Sequence, residues 1–175
     1  MPDIYEDTRQ KVGKHESKHR WFESHGVVIE RRALATGDYE RADGLSNVLV
    51  DTKSGIDELA MDVGREHARF VRELERAREA GCRLVVLVEC GNPYRELDDV
   101  AKWYPQPCRR CQRRGVTCEP RSGGRCRKFK RKPMQGPTLL SILRTLENKY
   151  KCRFELCHPF RVALRICELL GVKYE

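Results

Sequence analysis

This chain has no apolar run near the roughly 18 residues that a membrane span requires, and its start, MPDIYEDTRQK, lacks the basic-then-apolar design of a secretory signal. Both absences lead us to expect a soluble, intracellular, cytoplasmic protein with no membrane partner. Aromatic residues are scarce at 7% and the mean hydropathy is -0.68, yet apolar runs such as Leu84 to Val88 argue against general disorder. A folded domain with a very polar surface reconciles the two. At 175 residues the chain suffices for one domain with a real core and a small appendage, and is too short for two. A disulfide framework is not expected either, because the cysteine count is odd, at nine, and no export signal is seen.

Acid is also missing, but only locally. From Cys108 to Lys132 eleven Lys and Arg side chains face one acid, Glu119, a net charge of +10, whereas the other 150 residues sum to -1. A near-neutral domain therefore carries one concentrated basic segment, and such a patch points to a polyanion, most often nucleic acid. Arg109, Arg110, Arg113, Arg114, Lys128 and Lys130 are the candidate phosphate contacts. The same segment holds Cys108, Cys111, Cys118 and Cys126 in the spacing C-x2-C-x6-C-x7-C. Four soft thiolates suit structural Zn2+, the paired spacing lets the backbone turn around one ion, and in so polar a stretch the metal would replace a missing core. Free cysteines are the alternative, and the closing ligand stays open between Cys126, Cys90 and His158. Cys82, Cys90, Cys152, Cys157 and Cys167 sit in or beside apolar stretches and read as small buried hydrophobes. Trp103, Tyr104 and Phe129 flank the segment and could stack on unpaired bases, although packing is the more ordinary role for Trp103.

Periodicity predicts strands over 3–7, 27–34, 47–53, 83–89 and 153–157, with a further short strand after the bend at Gly37-Asp38-Tyr39, and helices over 14–25, 56–63, 65–80, 138–150 and 161–170. In the strand at 47–53, Val48 and Val50 face one way and Leu49 the other, so both faces are apolar until Asp51. That pattern marks a central strand of a covered sheet. The order of elements gives an α/β domain with a mixed sheet and helices on both faces. Its core is expected in residues 1–104 and 135–175, interrupted by a Cys-rich basic insert at 105–134.

Alternation places Asp51 and Lys53 on one face of one strand end, with Asp38 brought in by the glycine bend. Two carboxylates and a lysine are what metal-dependent phosphodiester cleavage needs: hard oxygen ligands hold Mg2+, and the lysine orients water or offsets phosphate charge. The register of these residues resembles the nuclease domain of XPF-type endonucleases, in the PD-(D/E)XK, or restriction-endonuclease-like, superfamily. That core motif is Gly-Asp, a gap, Glu-Arg-Lys, three residues and Asp; here stand Gly37-Asp38, Asp51-Thr52-Lys53 and, after Ser54, Gly55 and Ile56, Asp57. An earlier Asp-x-Arg-Glu element is matched by Asp7-Thr8-Arg9-Gln10. The wording is closer still to small stand-alone bacterial and phage members. It includes Gly13-Lys14-His15, Tyr39 after Asp38, His67-Ala68-Arg69-Phe70 and Leu87-Val88-Glu89, and runs from about residue 4 to 171 apart from the cysteine segment.

The resemblance implies a restriction-endonuclease-like fold and DNA cleavage by a water activated on Mg2+ or Mn2+. Asp38 and Asp51 would be the metal ligands, Lys53 would stand at the water or phosphate, Asp7 would be a further acid beside the metal, and Arg9 and Arg69 would be substrate contacts. His15, His19 and His67 could support the site or simply be exposed, and Tyr39 reads as packing. Asp57 and Glu58 suit a helix start. The resemblance also makes a homodimer an expectation. Asp51 is one methylene shorter than the family's Glu, and Thr52 and Gln10 remove one charge of each sign. A nuclease-fold DNA-binding module without activity is therefore the alternative, and a zinc-finger regulator with the α/β part as scaffold a third reading. No segment after the nuclease fold reads as a helix-hairpin-helix pair, so flap or junction preference does not carry over.

Overall fold

A computed structural model describes residues 1–9, 16–116, 126 and 128–175. The readings placed on Gln10, on Gly13-Lys14-His15 and on Cys118 lie outside the described residues. Six strands, β1 (Ile4–Asp7), β2 (Ile29–Arg32), β3 (Tyr39–Arg41), β4 (Val48–Lys53), β5 (Arg83–Glu89) and β6 (Arg153–Cys157), form one sheet in the order β2-β1-β3-β4-β5-β6. The pairs β1–β2, β4–β5 and β5–β6 are parallel, whereas β1–β3 and β3–β4 are antiparallel. The sheet is therefore mixed, with β4 and β5 inside it, as their two-sided apolar patterns require.

Among the described residues there are six helices, α1 (Glu16–Ser24), α2 (Ile56–Val63), α3 (His67–Glu79), α4 (Gln106–Arg113), α5 (Gly136–Tyr150) and α6 (Val162–Leu170), and all but α4 pack on the faces of the sheet. Strand alternation sends Leu49, Leu84, Val86 and Val88 to one face, where they pack with Leu59 of α2, Phe70 and Leu74 of α3, and Leu139, Leu143 and Leu146 of α5. Ile4, Tyr39, Val50 and Leu87 face the other way, against Phe22 of α1 and Val162, Ile166 and Leu170 of α6. No helix among the described residues is long and apolar enough to cross a membrane.

Most predicted elements are present, with ends moved by a few residues. The insert differs: its start is not irregular but forms α4, which carries both Cys108 and Cys111 on one helical face. Pro105 and Pro107 at its entry supply the fixed φ that a first turn accepts. The eight described cysteines are free thiols, and Cys82, Cys90 and Cys157 are only half-buried rather than core residues.

Gly136, the first residue of α5, sits where three carbonyls converge. A Cβ there would fall 2.6 Å from the carbonyl oxygens of Ala101 and Trp103 and closer still to that of Val100. Those carbonyls belong to the 3-10 turn Leu97–Lys102 and the residue after it, so at Gly136 the start of α5 meets that turn backbone to backbone. Gly136→Ala should therefore lower unfolding free energy by about 3 kcal/mol, read as a shifted urea midpoint at unchanged slope; a near-native midpoint would show that the contact is loose.

Candidate active site at the ends of the central strands

The site begins at Gly37. Its φ of +77° and the 3.1 Å that would separate a Cβ from the Val50 carbonyl explain the glycine: the chain presses directly onto β4. Asp38 then donates its backbone N–H to Val50 O at 2.8 Å, while its own carbonyl accepts from Asp7 N at 2.8 Å. Three strands, β1, β3 and β4, are thereby locked where their acidic residues come together. Asp38 Oδ2 accepts from the backbone N–H of Thr52 at 2.8 Å and from its hydroxyl at 2.6 Å. Thr52 thus orients the glycine-bend acid, and the other Asp38 oxygen takes no hydrogen bond among the described residues.

Asp51 and Lys53 share a face, as alternation requires, and their ion pair is 2.8 Å long. Lys53 Nζ is also 2.8 Å from Asp62 Oδ2, and Asp62 Oδ1 accepts from Arg69 Nη2 at 3.0 Å. Asp38, Asp51, Lys53 and Asp62 are all buried. Burial holds the Asp51 carboxyl well above the usual carboxylate range, reinforced by Asp38 and Glu73 and only partly countered by Lys53. Burial pulls the other way on Lys53, but Asp51 and Asp62 more than reverse it, and the ammonium is held above its ordinary value. Lys53 is thus a fixed cation in a nest that still carries surplus negative charge.

Asp7, Arg9, Asp38, Asp51, Lys53 and Arg69 line one cleft of about 390 Å³, together with Glu58, Glu73, Arg76 and Glu89. Asp7 is already engaged, by Arg9 Nε at 2.5 Å and by the backbone N–H groups of Arg9 and Leu34. It serves to hold Arg9, whose Nη2 also donates to Leu34 O at 2.8 Å. Among the described residues no three His, Cys, Asp or Glu side chains gather closely enough to hold an ion by themselves. Asp38 and Asp51 nonetheless fit Mg2+, which keeps several waters and is held by one or two carboxylates. The surplus buried negative charge is the local reason to admit a cation.

None of the described residues of the basic insert lines the cleft, and α4 is fastened beside it. Arg109 pairs with Asp57 at 2.9 Å and donates to Tyr104 O at 2.7 Å, which ties α4 to the start of α2 next to the cleft residue Glu58. Arg110, Arg113, Arg114, Lys128 and Lys130 are exposed. Cys108 Sγ accepts from Gln135 Nε2 at 3.4 Å and Cys126 Sγ from the Phe129 N–H at 3.3 Å. Trp103 is a core residue.

Three groups escaped the sequence reading. Glu73 lines the cleft from α3, Asp62 of α2 pairs with the cleft residues Lys53 and Arg69, and Glu6 lies fully buried, accepting from Tyr39 OH and His19 Nε2 at 2.9 Å and pairing with Arg31 at 3.2 Å. His19 is thus a partner of Glu6 and not simply exposed, while His67 Nδ1 contacts Val63 O at 3.1 Å. The signal for Asp62 was available: it is an acid three residues after Leu59 on the buried stripe of α2.

No protein-family model matches this chain, and no curated protein matches it. Among solved structures it is similar to XPF from Aeropyrum pernix, with a TM-score of 0.57 at 19% identity over 97% of this chain and 63% of that one. It is equally similar to XPF from Aeropyrum pernix in complex with DNA, with a TM-score of 0.59 at 20% identity over 98% and 64%. The fold is the XPF-type nuclease fold. This chain spans less than two thirds of the length of those XPF structures.

The cleft of this XPF-type fold carries a stability cost at Asp51. A carboxyl whose folded pKa lies above its unfolded value costs nothing while protonated in both states, and destabilises the fold as pH rises past the unfolded value. Asp51→Asn should therefore gain in stability relative to the parent as pH rises from about 4 to 7. Urea denaturation at the two pH values measures it; a difference that stays the same at both would show that the Lys53 pair fully offsets burial.

Proposed function

We propose that this protein is a metal-dependent DNA endonuclease that hydrolyses phosphodiester bonds, with the insert as its DNA grip. The observation that carries the reading is the meeting of Asp38, Asp51 and Lys53 in one buried, negatively charged cleft of an XPF-type fold. Asp38 and Asp51 would hold Mg2+ or Mn2+, which when bound supplies Lewis acidity and a water of lowered pKa. Thr52 keeps Asp38 oriented by its two hydrogen bonds. Lys53, fixed as a cation, would stand against the phosphate or the attacking water. Arg9 and Arg69 at the rim would receive the flanking phosphates, Arg9 held in place by Asp7. The XPF neighbour solved with DNA supports DNA as the partner.

Residues 105–134 would act as a sequence-blind phosphate grip, since each Lys or Arg that neutralises a phosphate releases counterions. Arg110, Arg113, Arg114, Lys128 and Lys130 are exposed and carry no ion pair among the described residues, so they are available for that role. Arg109 contributes by anchoring α4. Zn2+ on Cys108, Cys111, Cys118 and Cys126 would fix the insert, and since Cys108, Cys111 and Cys126 are not gathered into a site by themselves, binding would have to draw them together.

The test is to incubate the protein with duplex, single-stranded, flap and four-way-junction DNA in Mg2+ or Mn2+, scoring cleavage and binding in parallel. The parent should cut at least one substrate, while Asp38→Ala and Lys53→Ala cut about a hundredfold more slowly or not at all and bind within a few-fold of the parent. Binding of every substrate with cutting of none would instead make this a non-catalytic DNA-binding module. Cys111→Ser should lower zinc content and DNA affinity together, as read by elemental analysis and a salt titration of binding; unchanged zinc stoichiometry removes Cys111 from the site.

A further inference from the structure

We propose that Asp62 is a positioning residue that keeps Lys53 from closing over Asp51, so that Asp51 stays available to a divalent cation while the ammonium remains in the cleft. The proposal rests on the nuclease reading above. A buried ammonium facing a single carboxylate forms a closed ion pair in which both charges are spent. Here Lys53 is placed instead between two carboxylates at the same 2.8 Å. Its attraction is shared, and a cation that draws Asp51 away leaves the ammonium with a partner at the same depth.

The second carboxylate is rigidly held. Asp62 belongs to the last turn of α2, whose Leu59 and Val63 are packed in the core, so the backbone beneath it is fixed. Its other oxygen accepts from Arg69 at 3.0 Å, and the Arg69 side chain is 60% exposed at the cleft. Asp62 therefore joins a buried lysine to a rim arginine through one carboxylate.

The experiment titrates Mn2+ into metal-free parent, Asp62→Asn, Lys53→Ala and the double variant, following free Mn2+ by electron paramagnetic resonance without DNA. In parallel, kcat and KM are measured on the best-cut DNA. Asp62→Asn, nearly isosteric, should bind Mn2+ about tenfold more weakly and lower kcat more than it raises KM. In the Lys53→Ala background the same substitution should change Mn2+ affinity far less, because the competing ammonium is gone. Parental Mn2+ affinity in Asp62→Asn, or an equal effect with and without Lys53, overturns the proposal. Should Asp62→Asn fail to fold, Arg69→Gln replaces it: releasing the Asp62 carboxylate should weaken Mn2+ binding in the absence of DNA, and no change overturns the proposal. A parent that neither binds Mn2+ nor cuts defeats the nuclease reading and this inference together; a parent that does both beside an unaffected variant defeats this inference alone.

Discussion

The ion cluster of Asp51, Lys53 and Asp62 is the constraint around which the molecule is arranged. Removing a charged side chain from water costs several kcal/mol, recovered only where partners are well placed. Three charges at two contacts of 2.8 Å need their backbones fixed before they meet. The fold does this with its most rigid parts. Asp51 and Lys53 end β4, which is paired on both sides inside the sheet; Asp62 ends α2, packed on the same face. Phe70 of α3 closes the apolar side, its ring centroid 5.8 Å from the Lys53 ammonium.

The opposite face braces the same strand ends with a second set of buried charges. Glu6 gathers Tyr39, His19 and Arg31, joining β1, β3, α1 and β2. Burial first, and Glu6 second, hold the Tyr39 hydroxyl well above its ordinary pKa, so it stays a donor. Lys18 of α1 is buried and reaches Glu89 at the end of β5, 2.5 Å away. Both clusters lie at the edge of an apolar core, where side chains from several elements converge, and both tie helices to the end of the sheet that carries the cleft. Such polar contacts are directional where the hydrophobic cores beneath them are not.

What was legible in the sequence follows from this division. Strand alternation and apolar runs mark β4 and β5 without ambiguity, and alternation also pairs Asp51 with Lys53. Gly37 announces the bend that brings Asp38 in, because only glycine accepts its positive φ so close to β4. Asp62 was legible only as an acid on the buried stripe of α2; its pairing with Lys53, and the place of Glu73 in the cleft, arise from α2 and α3 folding back over the sheet, a tertiary fact that local spacing does not carry. The α4 helix was hidden for another reason. Its arginines and cysteines look like loop composition, and what holds it is the Arg109–Asp57 pair across 52 residues of sequence.

The cleft also shows why its arginines and its acids are separated by depth. Each rim cation is tied to a local partner: Arg9 to Asp7 and Leu34 O, Arg69 to Asp62, and Arg76 to Thr36 Oγ1 at 3.3 Å. A guanidinium has five donors, so one held by a carboxylate keeps others for an anion. The buried acids below cannot serve an anion at all and are matched only to a cation. A phosphodiester approaching this cleft would meet exposed guanidinium groups beside the half-buried Glu58, Glu73 and Glu89, and the fully buried carboxylates only at the bottom, so in the proposed reaction the metal would lie deeper than the backbone phosphate. The depth of the buried carboxylates below the exposed arginines, more than the identity of any single residue, is what would suit this cleft to the proposed phosphodiester chemistry.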